Sequence, residues 1–151
     1  MESSKEGREL GSSWSLVQTS RSQTVNGFRR FAVHPRLVEK PWGYEIIYAV
    51  TPHYCGKLLL VRAGEELSLQ YHCRKDETLY LTEGLAEVAI GELGEASVTE
   101  VLRPGSAVHV PPGTVHRLHA LQDSVFLEVS TPELDDVVRL EDRYGRSQNG
   151  G

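Results

Sequence analysis

GEELSLQYHCRKDETLYLTEG, residues 64–84, places Gln70 and His72 two positions apart and Glu77 five positions further on. Side chains along a strand alternate faces, so Ser68, Gln70 and His72 are expected on one side and Leu67 and Leu69 on the other. One face is then apolar and the other chemical. A second stretch, GSAVHVPPGTVH at 105–116, brings in His116 after a Pro-Pro-Gly turn. Two imidazoles, a carboxylate and an amide oxygen form a donor set for a borderline divalent ion, and Gln70, His72, Glu77 and His116 are read as one metal site. Taken singly, each has an ordinary reading as a surface pair, a turn residue or a lone polar group. Turned together into a small barrel, they would be costly to bury without something to coordinate.

The surrounding chain has the texture of such a barrel. LVEKPWGYEIIYAV (37–50) punctuates a β-branched run with Pro41 and Gly43. KLLLVRA (57–63), ELSLQYH (66–72), ETLYLTE (77–83), LAEVAIG (85–91), ASVTEVL (96–102), SAVHVPP (106–112), HRLHALQ (116–122) and SVFLEVS (124–130) follow. These short runs, separated by Gly, Pro, Asp and Glu, predict an antiparallel all-β sandwich or barrel. No long helical period precedes residue 133, so crossover helices and a parallel sheet are not expected. A short turn of helix is expected around Asp135 to Leu140. Residues 1–36, rich in Ser, Gly, Arg and Glu, read as a loosely ordered extension, with Trp14, Leu16 and Val17 as an apolar cluster able to add an edge strand. Residues 37–146 form the domain and 147–151 a tail.

The chain has 151 residues and a net charge of -5, enough length for one core and no general attraction for phosphodiester backbones. With no Lys/Arg run, nucleic acid is not an expected partner. No apolar stretch approaches a membrane span and the N-terminus lacks a secretion-signal core, so a cytoplasmic location without membrane contact is expected. Cys55 and Cys73 are expected as free thiols.

Gly64, Gln70, His72, Glu77 and Gly84 fit the first cupin motif in spacing, and Gly105, Pro111, Gly113 and His116 the second, with Ala120 at its final Asn position. With the flanking KPWGYE (40–45), SLQ (68–70), PPGTVHR (111–117) and DVVRLEDRYGR (136–146), the chain resembles the cupin domain of type II mannose-6-phosphate isomerases. That domain often follows a mannose-1-phosphate guanylyltransferase. The resemblance implies a cupin jelly-roll barrel, the metal ligands Gln70, His72, Glu77 and His116, and zinc, with iron, manganese, nickel or cobalt as alternatives. No nucleotidyltransferase-like segment stands before the barrel, so a stand-alone cupin without guanylyltransferase activity is expected. Cys73, Arg74 and Lys75 depart from the His-rich run frequent in the family. A homodimer is expected by the same resemblance.

The activity implied is aldose–ketose isomerisation of mannose 6-phosphate to fructose 6-phosphate through a metal-stabilised enediolate. A non-catalytic sugar-binding or regulatory metal cupin, or a cupin oxygenase or lyase, is the alternative. Moving a proton between adjacent carbons needs a base beside the electrophile, and Glu128, Lys57 and His109 are the candidates. Glu128 interrupts an apolar FLEV run, although Phe126, Glu128 and Ser130 could equally face solvent. A sugar phosphate needs cations, and Arg146, Lys57, Arg117 and Arg143 are the candidates.

Overall fold

Pro41 and Gly43 divide the first β-branched run into a hairpin instead of merely preceding one strand. In the computed structural model, which describes residues 34–146, the chain runs as β1 (Arg36–Lys40), β2 (Gly43–Val50), β3 (Cys55–Val61), β4 (Leu69–Tyr71), β5 (Glu77–Glu83), β6 (Ala86–Gly91), β7 (Val98–Leu102), β8 (Ala107–Val110), β9 (Val115–Ala120), β10 (Ser124–Ser130) and β11 (Val138–Glu141). Gly43 makes the β1–β2 turn possible. It has a φ of 153°, and a Cβ there would stand 1.9 Å from the Leu60 carbonyl oxygen. The extension with Trp14, Leu16 and Val17, and the tail, lie outside the described residues.

Two antiparallel sheets result, ordered β1-β2-β3-β10-β5-β8 and β11-β4-β9-β6-β7. They face each other as a jelly-roll barrel, the all-β cupin architecture that the motifs imply. The helical turn expected at Asp135 to Leu140 is not formed. Val138–Glu141 is instead β11, whose Arg139 pairs with Gln70 along the edge of β4. One helical turn is a costly nucleus, whereas a free strand edge offers hydrogen bonds at once. No helix among the described residues is long and apolar enough to cross a membrane.

The inward positions change character along the barrel axis. β3 presents Val61, Leu59 and then Lys57; β5 presents Leu81, Leu79 and then Glu77; β9 presents Ala120, Leu118 and then His116, all buried. β10 runs the opposite way, from Phe126 to Glu128. One end is therefore closed by an apolar cluster built on Phe126, Leu81, Leu118, Val88, Val61 and Val110. The other end is lined with charge. This gradient, written into each strand with period two, places the site.

Candidate metal centre

His72 follows β4, Glu77 opens β5, and His116 lies on β9 directly opposite Gln70 of β4. The three ionisable side chains are buried, and their ligand atoms lie within 4.8 Å of one another. His72 Nε2 stands 3.3 Å and His116 Nε2 3.2 Å from the same Glu77 Oε1. Their other nitrogens are already committed. His72 Nδ1 donates to the Asp136 carbonyl and His116 Nδ1 donates to the Thr114 carbonyl at 3.0 Å. In the neutral rings this fixes the proton on Nδ1 and leaves bare Nε2 lone pairs turned toward a carboxylate.

Lone pairs converging on a carboxylate repel one another unless a cation lies between them, and the arrangement therefore fits a divalent metal. Burial pushes the Glu77 carboxyl up, but its close contacts with His116 and His72 and the charge of Lys75 outweigh it and hold it well below the usual carboxylate range. Glu77 is thus ionised, as a ligand must be. Gln70 lines the same cavity, its Oε1 accepting from Ser68 Oγ at 2.6 Å. The structure brings all four sequence-predicted ligands to one place. Cys73 is exposed, Cys55 is buried, and both are free thiols.

A cavity of about 120 Å³ opens beside these ligands. Lys75 Nζ bonds Glu77 Oε2 and lies 2.7 Å from Glu128 Oε1. Lys57 Nζ stands 3.7 Å from the same Glu128 oxygen and 3.8 Å from Glu45 Oε2, and Lys40 pairs with Glu45 at 3.3 Å. Burial favours a neutral Lys75, but the Glu128 and Glu77 charges prevail and raise its ammonium above the usual lysine range. Lys75 is a cation and a donor here, with no role as a base.

Asp136 ties this wall together. Its carboxylate accepts from the backbone N–H groups of Cys73 at 3.0 Å, Arg74 at 2.6 Å and Lys75 at 2.8 Å, while its carbonyl orients His72. Burial raises the Asp136 carboxyl, but the Lys75, Arg74 and Cys73 amides dominate and lower it to about 2.

The other sequence-predicted residues divide. Glu128 and Lys57 are buried at the cavity, so the solvent-facing reading of Glu128 does not hold. His109 is a correction: its side chain is 59% exposed and pairs with Asp76 at 2.9 Å, because Val110 beside it takes an inward position. Arg117 and Arg143 are corrections too. Arg117 bonds Glu141 on the outside of β9, and Arg143 donates to the Gly64 carbonyl beside Glu65 and Glu66; neither lines the cavity. Arg146 does line it, but its guanidinium forks onto Asp142 at 3.0 and 2.7 Å. Leu67, expected on the face away from Ser68, also lines the cavity, since β4 begins only at Leu69 and alternation does not extend back to it. Sequence reasoning missed Lys75, Glu45, Asp136 and Arg139. Lys75 lies between β4 and β5, where no strand alternation marks an inward residue.

The family described as mannose-6-phosphate isomerase C-terminal matches residues 26–142. The xanthan biosynthesis protein XanB of Xanthomonas campestris pv. campestris is 31% identical over 131 residues, covering 83% of this chain and 27% of that protein. The mannose-1-phosphate guanylyltransferase ManC of Salmonella typhimurium is 38% identical over 117 residues, covering 74% and 23%. The chain spans about a quarter of the length of these curated relatives. Among solved structures, KdgF from Halomonas sp. matches with a TM-score of 0.57 at 27% identity, over 66% of this chain and 90% of that one. A Bacillus subtilis oxalate decarboxylase with Mn(II) centres matches with a TM-score of 0.60 at 22% identity, over 69% and 29%, a likeness of fold.

Proposed function

This chain belongs to the mannose-6-phosphate isomerase C-terminal family, and from that premise we propose that it is a metal-dependent aldose–ketose isomerase, interconverting mannose 6-phosphate and fructose 6-phosphate. The observation that carries the reading is the buried Glu128 carboxylate, held between Lys57 and Lys75 on the wall shared with Glu77, His72 and His116. The reaction asks for a proton carrier a few ångströms from the place where charge builds on oxygen, and this wall supplies both.

Gln70, His72, Glu77 and His116 would hold the ion. Zinc or a similar ion held there would supply Lewis-acid chemistry to an oxygenated substrate. The single carboxylate among these ligands leaves the centre net positive, which favours an oxygen-rich substrate. Glu128 takes the proton from C2 and returns it to C1, while the hydroxyl proton passes from O2 to O1. Lys57 and Lys75 hold Glu128 in place on the wall, and Lys75 places an ammonium beside the developing negative charge. Leu59, Leu79 and Leu118 form the apolar floor beneath the reacting carbons.

Conversion of mannose 6-phosphate by zinc-loaded protein, beside protein stripped with chelator, tests this. Turnover is expected only with zinc, and Glu128→Gln is expected to lower kcat by roughly 100-fold or more with zinc content unchanged. Stoichiometric zinc with no turnover in either sample would overturn the isomerase reading.

A further inference from the structure

Five cationic side chains line the cavity: Lys40, Lys57, Lys75, Arg139 and Arg146. The three lysines are matched by Glu45, Glu128 and Glu77, and Arg146 is matched by Asp142. Arg139 is what remains. Among the described residues no carboxylate lies within ion-pair distance of it, although its charge is felt at Asp142, and its Nε is buried without a hydrogen-bond partner. A guanidinium facing a cavity with unused donors is poised for an external acceptor.

Its place in the sheet says which acceptor. Arg139 of β11 pairs with Gln70 of β4, and Gln70 pairs with His116 of β9. Residues paired across neighbouring strands share a face, so the three form one row along the cavity wall. Two strand spacings, on the order of 10 Å, separate Arg139 from the ligand His116. An open six-carbon chain spans such a gap.

We propose that Arg139 is the seat for the substrate's phosphate, distinct from the residues that serve the reacting carbons, and that it sets the preference for a terminally phosphorylated sugar. The assignment rests on the isomerase reading for the sugar and not for the anion. Arg146 is a positioning residue in this scheme, since its fork is filled by Asp142.

The test is equilibrium titration of zinc-loaded wild type, Arg139→Gln and Arg139→Lys with inorganic phosphate, mannose 6-phosphate and mannose, with zinc content and melting temperature recorded for each. Loss of two charge-assisted hydrogen bonds predicts roughly 10- to 100-fold weaker binding of both phosphate ligands by Arg139→Gln, an intermediate loss for Arg139→Lys, and unchanged zinc content and affinity for mannose. Phosphate binding equal in wild type and Arg139→Gln would place the anion on the metal or elsewhere and overturn the seat, as would wild type that binds no phosphate. Turnover of mannose 6-phosphate with an unchanged KM in Arg139→Gln would sink the seat and leave the isomerase standing. Phosphate binding that depends on Arg139, in a protein that does not turn over mannose 6-phosphate, would uphold the seat and remove the isomerase.

Discussion

Glu77 is the oxygen that both imidazoles face, so its loss removes the charge that makes the cluster a cation site. Replacing Glu77 or His116 by Ala is expected to abolish stoichiometric zinc binding, read by metal analysis after gel filtration, while the far-ultraviolet spectrum of the barrel persists. Cys73→Ser should leave zinc content unchanged, because that thiol is exposed and outside the cluster. Within each segment the facing of Gln70, His72, Glu77 and His116 could be read from strand alternation, whereas their meeting in one place came from the resemblance to the two cupin motifs. His109 was read as a candidate base because the sequence left the phase of β8 open, and the structure turns Val108 and Val110 on either side of it inward. Lys75 was harder. It lies in the irregular run between β4 and β5, where no period operates, and its burial depends on Glu128 from a strand fifty residues further along.

At the scale of elements, the run from Cys73 to Lys75 has no strand pairing, and its backbone N–H groups are held by a single carboxylate. Asp136 has a folded pKa of about 2 against an ordinary 3.8, so its contribution to stability is present above about pH 3.8 and is lost as pH falls through about 2. Metal-free wild type, melted at successive pH values from 5 to 2, should lose stability in that window, and Asp136→Asn should lose less there while starting lower. Asp136→Asn should also weaken zinc binding by roughly 10- to 100-fold, since the loop and His72 lose their common anchor. Equal pH profiles for the two proteins would show that the loop is held in some other way. The segment from Pro132 to Leu140 was the least readable part of the chain. Its Pro-Glu-Leu-Asp-Asp opening has the residues of a helix start, and only the unpaired edge of β4, a tertiary feature, turns it into β11. Asp136 and Arg139 were missed with it.

For the whole molecule, the separation of an apolar end from a charged end means that metal and fold can be perturbed independently. Phe126 is 1% exposed at the centre of the apolar cluster, and Phe126→Ala is expected to cost about 3–5 kcal/mol in chemical denaturation. Chelation should lower the melting temperature yet leave a cooperative transition, because a bound ion at 100 times its Kd adds only about 2.7 kcal/mol to a barrel with its own core. A non-cooperative melt without metal would contradict a core that stands unaided. The strand pattern made the barrel readable in outline, whereas the pairing order across its two sheets depends on contacts far apart in sequence.

The row Arg139, Gln70 and His116 also turns the sheet into a ruler. Its graduations are backbone hydrogen bonds, which no side-chain substitution on the cavity wall can stretch. Slipping β11 by one residue against β4 would turn Arg139 to the opposite face and take it out of the row. On the proposed seating, the span between the two ends of the substrate is set by the strand pairing, and the side chains set what is recognised at either end.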